Sequence, residues 1–337
     1  MRTAILFVLL VSIAAPSLGE NRLPILDMHM HAYTADAQGP PPMAMCTPFS
    51  PMPAWDPGTP YGPVFMETMK FAPPCDDPLW SSKSDEALLQ QSIEMMERFT
   101  IVSGVLSGPP ELVARWREAA PGRFIPGLGF NLERDPSMTP DVMRALVAAG
   151  SLDVLAEVTN QYSGIAPNDD RMEPYWALAE ELDLPVGIHV GTGPPGFRYI
   201  SGNMLAKLNS PLTIEPLLLR HPGLRIYLMH AGFPHLEDLL SLLYVHPQVY
   251  VDIAVISVTQ SRPAFYRFLQ GIVEGGFGNR VMFGSDQMVW PGLIERTIAV
   301  IEEAPFLTDE QKRDIFYNNA ARFLRLTDEE IAQHHGR

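Results

Sequence analysis

Positive charge is scarce in this chain of 337 residues: 24 lysines and arginines stand against 39 aspartates and glutamates, a formal net charge of −15. Such a surface repels a phosphate backbone, and no Lys/Arg cluster offsets it, so nucleic acid is not an expected partner. Cysteine is almost absent. Cys46 and Cys75 are the only two, which excludes a disulfide-dense scaffold. They form either one bridge in an oxidising compartment, the reading placed slightly ahead, or two unrelated buried thiols. The glycine-rich turn GxGxxG that would follow the first strand of a dinucleotide-binding sheet is missing, which weighs against an open doubly wound sheet. Beyond the first twenty residues no long apolar run occurs, so no stable membrane insertion is expected of the mature chain.

Those first residues, MRTAILFVLLVSIAAPSLGE, have the layout of an export signal. Arg2 supplies a positive start, Ala4 to Ala15 is apolar except for Ser12, and Ser17 and Gly19 are small residues before a cut after Gly19. The apolar stretch is short for a membrane span. Residues 1–19 are therefore expected to be a signal peptide. Residues 20–337 are expected to form a single exported domain, periplasmic or secreted.

The hydrophobic fraction of 46% is ordinary for a globular protein, and short β-branched runs alternate with helical patterns. Strands are expected over 24–31, 99–106, 123–130, 152–158, 184–190, 224–230, 249–255 and 281–286. Ser84 can cap a helix ahead of Asp85 and Glu86, Pro110 can open the next, and Thr139-Pro140 another that Gly150 stops. Thr308…Gln311 and Thr327…Glu330 fit capping boxes of two terminal helices, with a fraying tail at His334 and His335. Strand–helix repetition implies a parallel sheet with right-handed crossovers, and about eight units close a barrel. The expected fold is α/β, a (β/α)8 TIM barrel with extra C-terminal helices.

Residues 32–83 break the rhythm with twelve prolines. A loop this long inside a compact domain is usually functional or disordered. Following the first strand, it should fold over the carboxyl-end face as a lid carrying Trp55, Tyr61, Phe65 and Met66. Met43, Met45, Cys46 and Met52 within it suit apolar gap filling far better than copper binding.

The chemistry lies at the strand ends. LDMHMH ends in His29 and His31, LDVLAEV carries Glu157, GIH ends in His189, YLMH in His230 and FGSD in Asp286. Imidazole and carboxylate are ligands of divalent transition metals. Residues two apart on a strand share a face, which suits His29 and His31 to one ion. A lone HxH is weak, and any single buried histidine is more often a hydrogen-bonded core residue. Four histidines at matching strand ends of a barrel are a different matter, since those ends converge.

These pieces, with RHPGLRIYLMHAGFPH, HPQVYVDIAV, MFGSDQ and NNAARFL, resemble the amidohydrolase superfamily, specifically its amidohydrolase-2 branch of metal-dependent barrel hydrolases. The resemblance covers about residues 24 to 325. It implies that His29, His31 and Asp286 hold a divalent metal, with zinc the first candidate, and that His189 and His230 hold a second ion or the substrate. It also implies that Glu157 bridges two ions, the alternative being that it orients a histidine. The expected reaction is attack of metal-activated hydroxide on an amide, lactone or ester of a small molecule, with Asp286 moving the proton and His230 holding the developing oxyanion. The rivals are a mononuclear-metal decarboxylase of the same branch and a non-catalytic exported binding barrel.

Substrate contacts are expected from loops past the strands. Arg198 can pair a carboxylate bidentately or form a salt bridge with an acidic lid. Tyr162 and Trp290 can stack on a ligand, although packing is the commoner fate of each. Asp252 can hydrogen-bond a ligand histidine, and Asp27 can anchor the first strand end. His221 and His246, each before a proline, read as solvated turn residues. Homo-oligomerisation is left open.

Overall fold

The computed structural model describes residues 22–68 and 75–336; the expected signal sequence lies outside them. Eight parallel strands run in sequence order: β1 Ile25–His31, β2 Ile101–Ser107, β3 Phe124–Pro126, β4 Leu155–Val158, β5 Val186–His189, β6 Ile226–Met229, β7 Val249–Asp252 and β8 Val281–Met282. Ladders join β1–β2–β3 and β4–β5–β6–β7–β8. The two sheets meet at both seams. Parallel bridges Gly127–Val154 and Phe130–Val158 link β3 to β4. Met28 N donates to Phe283 O at 2.9 Å and Asp286 N to His29 O at 2.8 Å, closing β8 onto β1. Closure leaves no edge strand to satisfy, and the result is the expected barrel.

A helix follows each strand: α1 Asp85–Arg98, α2 Pro110–Ala119, α3 Pro140–Ala148, α4 Glu173–Glu181, α5 Glu215–Arg220, α6 Leu236–Val245, α7 Arg262–Glu274 and α8 Gly292–Glu302. The start signals act as the sequence indicates. Ser84 accepts from Ala87 N and Thr139 from Val142 N, and Pro110 opens α2. Both terminal capping boxes form. Caps of this kind contribute about 0.5–2 kcal/mol each. The tail does not simply fray, since Tyr317 Oη lies 2.9 Å from His334 Nδ1.

The strands are buried on both faces, as parallel strands flanked by helices must be. The larger apolar cluster lies between barrel and helices. A smaller one gathers Leu26, Val105, Val154, Tyr227, Met229 and Met282 from several strands, packed with Tyr317 and Phe323 of the C-terminal helices.

The proline-rich segment has its own order. Ala44–Met45 pairs antiparallel with Leu79–Trp80, and the Cys46–Cys75 disulfide forms beside that pair. Met43 and Met45 are buried in the core, which is packing and not a soft-metal site. A helix spans Tyr61–Met66. The segment reaches loops at the carboxyl ends of the strands: Phe49 N donates to Thr259 O after β7, and Tyr61 Oη donates to Pro195 O after β5. Trp55 lies 4.7 Å, ring to ring, from Tyr199.

Candidate metal centre

The cluster assembles at the carboxyl ends of the strands, with His29 inside β1 and Glu157 inside β4. His31 ends β1 and His189 ends β5. His230 and Asp286 fall just beyond β6 and β8, shorter strands than expected, at φ 62° and 49°. Left-handed backbone costs a non-glycine residue about 1–3 kcal/mol. Val255 after β7 and Met288 after β8 share it, at φ 52° and 45°. Strained backbone therefore recurs just past β6, β7 and β8, although Thr100, Asp183 and Arg325 carry it elsewhere.

Six residues named from the sequence come together there. The ligand atoms of His29, His230 and Asp286 lie within 4.8 Å of one another, as do those of His29, His31 and Glu157, and those of Glu157, His189 and His230. Asp286 Oδ1 is 3.0 Å from His31 Nε2 and 3.8 Å from His29 Nε2. Glu157 Oε1 is 3.4 Å from His230 Nε2 and 3.7 Å from His189 Nε2. All six are buried.

The partners outside the cluster decide which nitrogen each histidine offers. Asp252 Oδ2 accepts from His29 Nδ1 at 3.0 Å, the role anticipated for Asp252. The Ala254 carbonyl accepts from His230 Nδ1 at 3.0 Å. Ser107 Oγ lies 2.9 Å from His31 Nδ1. In each case Nε2 faces the cluster, as ligating histidines require. His189 differs: Gln161 Nε2 contacts its Nδ1, and Tyr162 Oη is 2.8 Å from its Nε2. Asp27 does anchor the strand end, its Oδ1 accepting from His29 N and Ser285 N at 3.0 Å each.

Two observations test whether these residues fit a cation. His29 Nε2 is buried with no hydrogen-bond partner among the described residues, and Asp286 Oδ1 makes no well-aligned hydrogen bond there although His31 Nε2 stands 3.0 Å from it. An orphaned nitrogen facing an orphaned carboxylate oxygen costs about 1–3 kcal/mol per group unless something else pairs both. The charges agree. Burial pushes the His29 imidazole down, but Asp286, Asp252 and Glu157 outweigh it and lift it to about 10. Burial pushes the Asp286 carboxyl up, but His29, His31 and His230 hold it well below the carboxylate range. Surrounding acids thus favour positive charge at His29, where a divalent ion would supply it. Burial also takes His189 down to about 3, leaving it neutral. The donor set fits a divalent transition metal.

Gly284 makes the approach of β8 to β1 feasible, since a Cβ there would stand 2.8 Å from His29 Cβ and 3.0 Å from Ala254 Cβ.

The other sequence-named residues divide. Tyr162 reaches the cluster through His189. Trp290 does not serve as an exposed stacking face: it is 1% exposed, and its indole donates to Met43 O at 3.0 Å. Arg198 is exposed and donates to Gly202 O of its own turn, with neither a lid carboxylate nor a site oxygen as its partner among the described residues. His221 and His246 are not solvated turns. Both are buried; His221 sits between Glu180 and Glu173 at 2.9 Å each, and His246 lies 3.3 Å from Glu215. Residues that the sequence reading missed are Gln161, Ser107 and Tyr33, whose ring stacks on His31 at 4.6 Å. Ser107 was findable, because it pairs in register with His31 across β1 and β2.

Comparison with known proteins agrees with this geometry. Protein fluG of Emericella nidulans is 23% identical over 115 residues, 34% of this chain but 12% of that protein's length. A probable 2-pyrone-4,6-dicarboxylic acid hydrolase of Acinetobacter baumannii superposes with a TM-score of 0.57 at 15% identity, covering 90% of this chain and 100% of its own. The 5-carboxyvanillate decarboxylase of Sphingomonas paucimobilis gives 0.52 at 18% identity, covering 70% and 82%. At such identities the likeness shows a shared fold. The family model described as Amidohydrolase matches residues 26–326, and the chain belongs to that family.

Proposed function

We propose that this protein is a metal-dependent hydrolase that cleaves a C–O or C–N bond (amide, lactone or ester) of a small molecule. The observation that carries it is the pair of orphaned, mutually facing atoms His29 Nε2 and Asp286 Oδ1 inside a buried ring of four histidines and two carboxylates. His29, His31 and Asp286 would hold one ion. Glu157 is near enough both to His29 and His31 and to His189 and His230 to be shared with a second. Bound there, a divalent ion such as zinc would bring the pKa of a water toward neutrality and polarise a substrate carbonyl.

The chain's own residues do the rest. Asp286, ionised at neutral pH, takes the proton of the attacking water and returns it to the leaving group. Asp252 and the Ala254 carbonyl fix the rings of His29 and His230, so neither has to reorient during turnover. His230 lies where it can steady negative charge on the substrate oxygen. The proline-rich segment, held to the loops after β5 and β7, would act as a lid that limits water. Export is part of the same reading, supported by the Cys46–Cys75 disulfide; N-terminal sequencing of mature protein is expected to begin at Glu20.

A second reading has its own support. With both ring nitrogens of His189 engaged by Gln161 and Tyr162, a single ion on His29, His31 and Asp286 would suit a decarboxylase. Metal-replete protein assayed against ester, lactone, amide and carboxylate panels separates the two. Hydrolysis with no carbon dioxide supports the first, and carbon dioxide release with one ion per chain supports the second. Asp286→Asn should fold and lose turnover, and near-normal activity in that variant would remove Asp286 from the proton role.

A further inference from the structure

Gln161 and Tyr162 are successive residues, yet each reaches a different nitrogen of His189. The sequence NQYSG makes this possible by forming a tight turn over Asn160–Ser163, closed by Gly164 at φ 77°, a conformation glycine adopts at no steric cost. Tyr162 N donates to Thr159 O at 3.0 Å. The turn is tied to the preceding loop of the barrel: Asn131 Nδ2 donates to Thr159 O at 2.9 Å and Leu132 N to Asn160 Oδ1 at 2.7 Å. From it Gln161 contacts His189 Nδ1, and the Tyr162 hydroxyl lies 2.8 Å from Nε2.

The loop after β5 fixes the Tyr162 ring in that place. Gly193 packs against it at φ 64°, and a Cβ there would stand 2.9 Å from Tyr162 Cε1 and 3.1 Å from its Oη. Phe197 packs on the same ring at 5.0 Å, centroid to centroid. This loop is itself pinned to the proline-rich segment, where Tyr61 Oη donates to Pro195 O at 2.9 Å.

Glu157, His189 and His230 bring ligand atoms within 4.8 Å of one another, donors enough for a second ion. The Tyr162 hydroxyl decides whether His189 can join them. An imidazole nitrogen carries either a proton or a lone pair, and each takes one partner in the ring plane. With Gln161 donating to Nδ1, His189 Nε2 keeps the ring proton and donates it to Tyr162 Oη. With the Gln161 amide turned to accept from Nδ1, Nε2 accepts from the hydroxyl. Neither arrangement leaves Nε2 a lone pair for an ion, which would have to stand about 2.0–2.1 Å away on the same side of the ring. Glu157 and His230 alone are fewer protein donors than a zinc site uses.

We propose that Tyr162 bars a second ion from this centre, so that the chain works with one ion although it holds the donors for two, and that removing the hydroxyl opens the second site. The inference rests on the metal-dependent hydrolase reading for the first ion, on His29, His31 and Asp286. Tyr162 is in this respect a positioning residue, acting through His189.

The test is metal stoichiometry. Wild type, Tyr162→Phe, Gly193→Ala and the double variant Tyr162→Phe with His189→Ala are dialysed against a graded series of buffered free zinc. Mass spectrometry reads the bound zinc and circular dichroism the fold. Wild type should level off at one ion per chain. Tyr162→Phe should take a second, at least about tenfold tighter than wild type does, the scale of the hydrogen bond that no longer has to be broken. Gly193→Ala should also tighten the second ion, because its new Cβ displaces the ring, and it carries the test should Tyr162→Phe not fold. The double variant should return to one. Two ions in wild type, a single ion in folded Tyr162→Phe, or a second ion that survives His189→Ala each overturns the inference. So does the loss of an ion in Tyr162→Phe, which would make the phenol a ligand. All of these leave the hydrolase reading standing, whereas a wild type that takes up no zinc overturns that reading as well.

Discussion

Asp252→Asn probes how the cluster is aimed without replacing any of its six residues. Asp252 is fully buried. Its Oδ1 accepts from His230 N at 2.8 Å and Ala254 N at 3.1 Å, and its Oδ2 accepts from His29 Nδ1 at 3.0 Å. An asparagine of the same shape keeps the two backbone bonds only with its amide oxygen at the Oδ1 position. Its NH2 then faces His29 Nδ1, and two donors cannot pair. His29 must give up its Nδ1 proton and keep the one on Nε2, the atom that faces the cluster. Turning the amide the other way would rescue His29 and strand two backbone N–H groups, at about 1–3 kcal/mol each. The first arrangement is cheaper, because it exchanges one charge-assisted hydrogen bond for a neutral one at about 1 kcal/mol. The fold should survive with a small loss of stability, while metal affinity falls about 10–100-fold. Competition with a chromophoric chelator reads the affinity, and urea denaturation reads the fold. A folded Asp252→Asn protein with wild-type metal affinity would refute the claim that Asp252 sets the His29 tautomer.

Three further outcomes are expected. Replacing Cys46 and Cys75 by serine opens a loop with a sequence separation of 29, which should lower unfolding free energy by about 3.5 kcal/mol on the chain-entropy scale; a denaturation midpoint unmoved by the double variant or by reductant contradicts this. The hydrogen bond from His221 holds the Glu180 carboxyl below its ordinary range. Its contribution is complete above the unfolded Glu value of about 4.3 and is lost as pH falls through the lower folded value; His221→Gln should flatten that acid limb of a stability–pH curve, and an unchanged limb counts against the pairing. Finally, His29, raised to about 10 by its acidic neighbours, carries a proton at pH 7 that an ion must displace. Metal uptake in weak buffer should acidify the solution and tighten as pH rises, and proton-neutral, pH-independent uptake would show that His29 does not ligate.

The barrel was legible because each strand is a short buried run and each following helix carries a physical start signal, such as Ser84, Pro110 or Thr139. The site was legible for the related reason that strand ends converge, so His29, His31, Glu157, His189, His230 and Asp286 could be joined before any geometry was known. Asp252 was readable as well, lying on a strand beside histidines. What escaped depends on contacts distant in sequence. His221 and His246 each precede a proline, which signals a turn, yet acids on α4 and α5 bury them. Trp290 follows Asp286 closely, but its indole finds the Met43 carbonyl 247 residues away. Arg198 was readable as a carboxylate partner, but its own turn supplies the Gly202 carbonyl to which it donates.

Anomalous diffraction from crystals of metal-replete protein, recorded on either side of the metal edge, bears most directly on the centre. The account predicts a strong peak enclosed by His29, His31 and Asp286, with a second among Glu157, His189 and His230 if two ions bind. Ordered side chains with no anomalous signal among them, from protein purified in excess zinc, would contradict it.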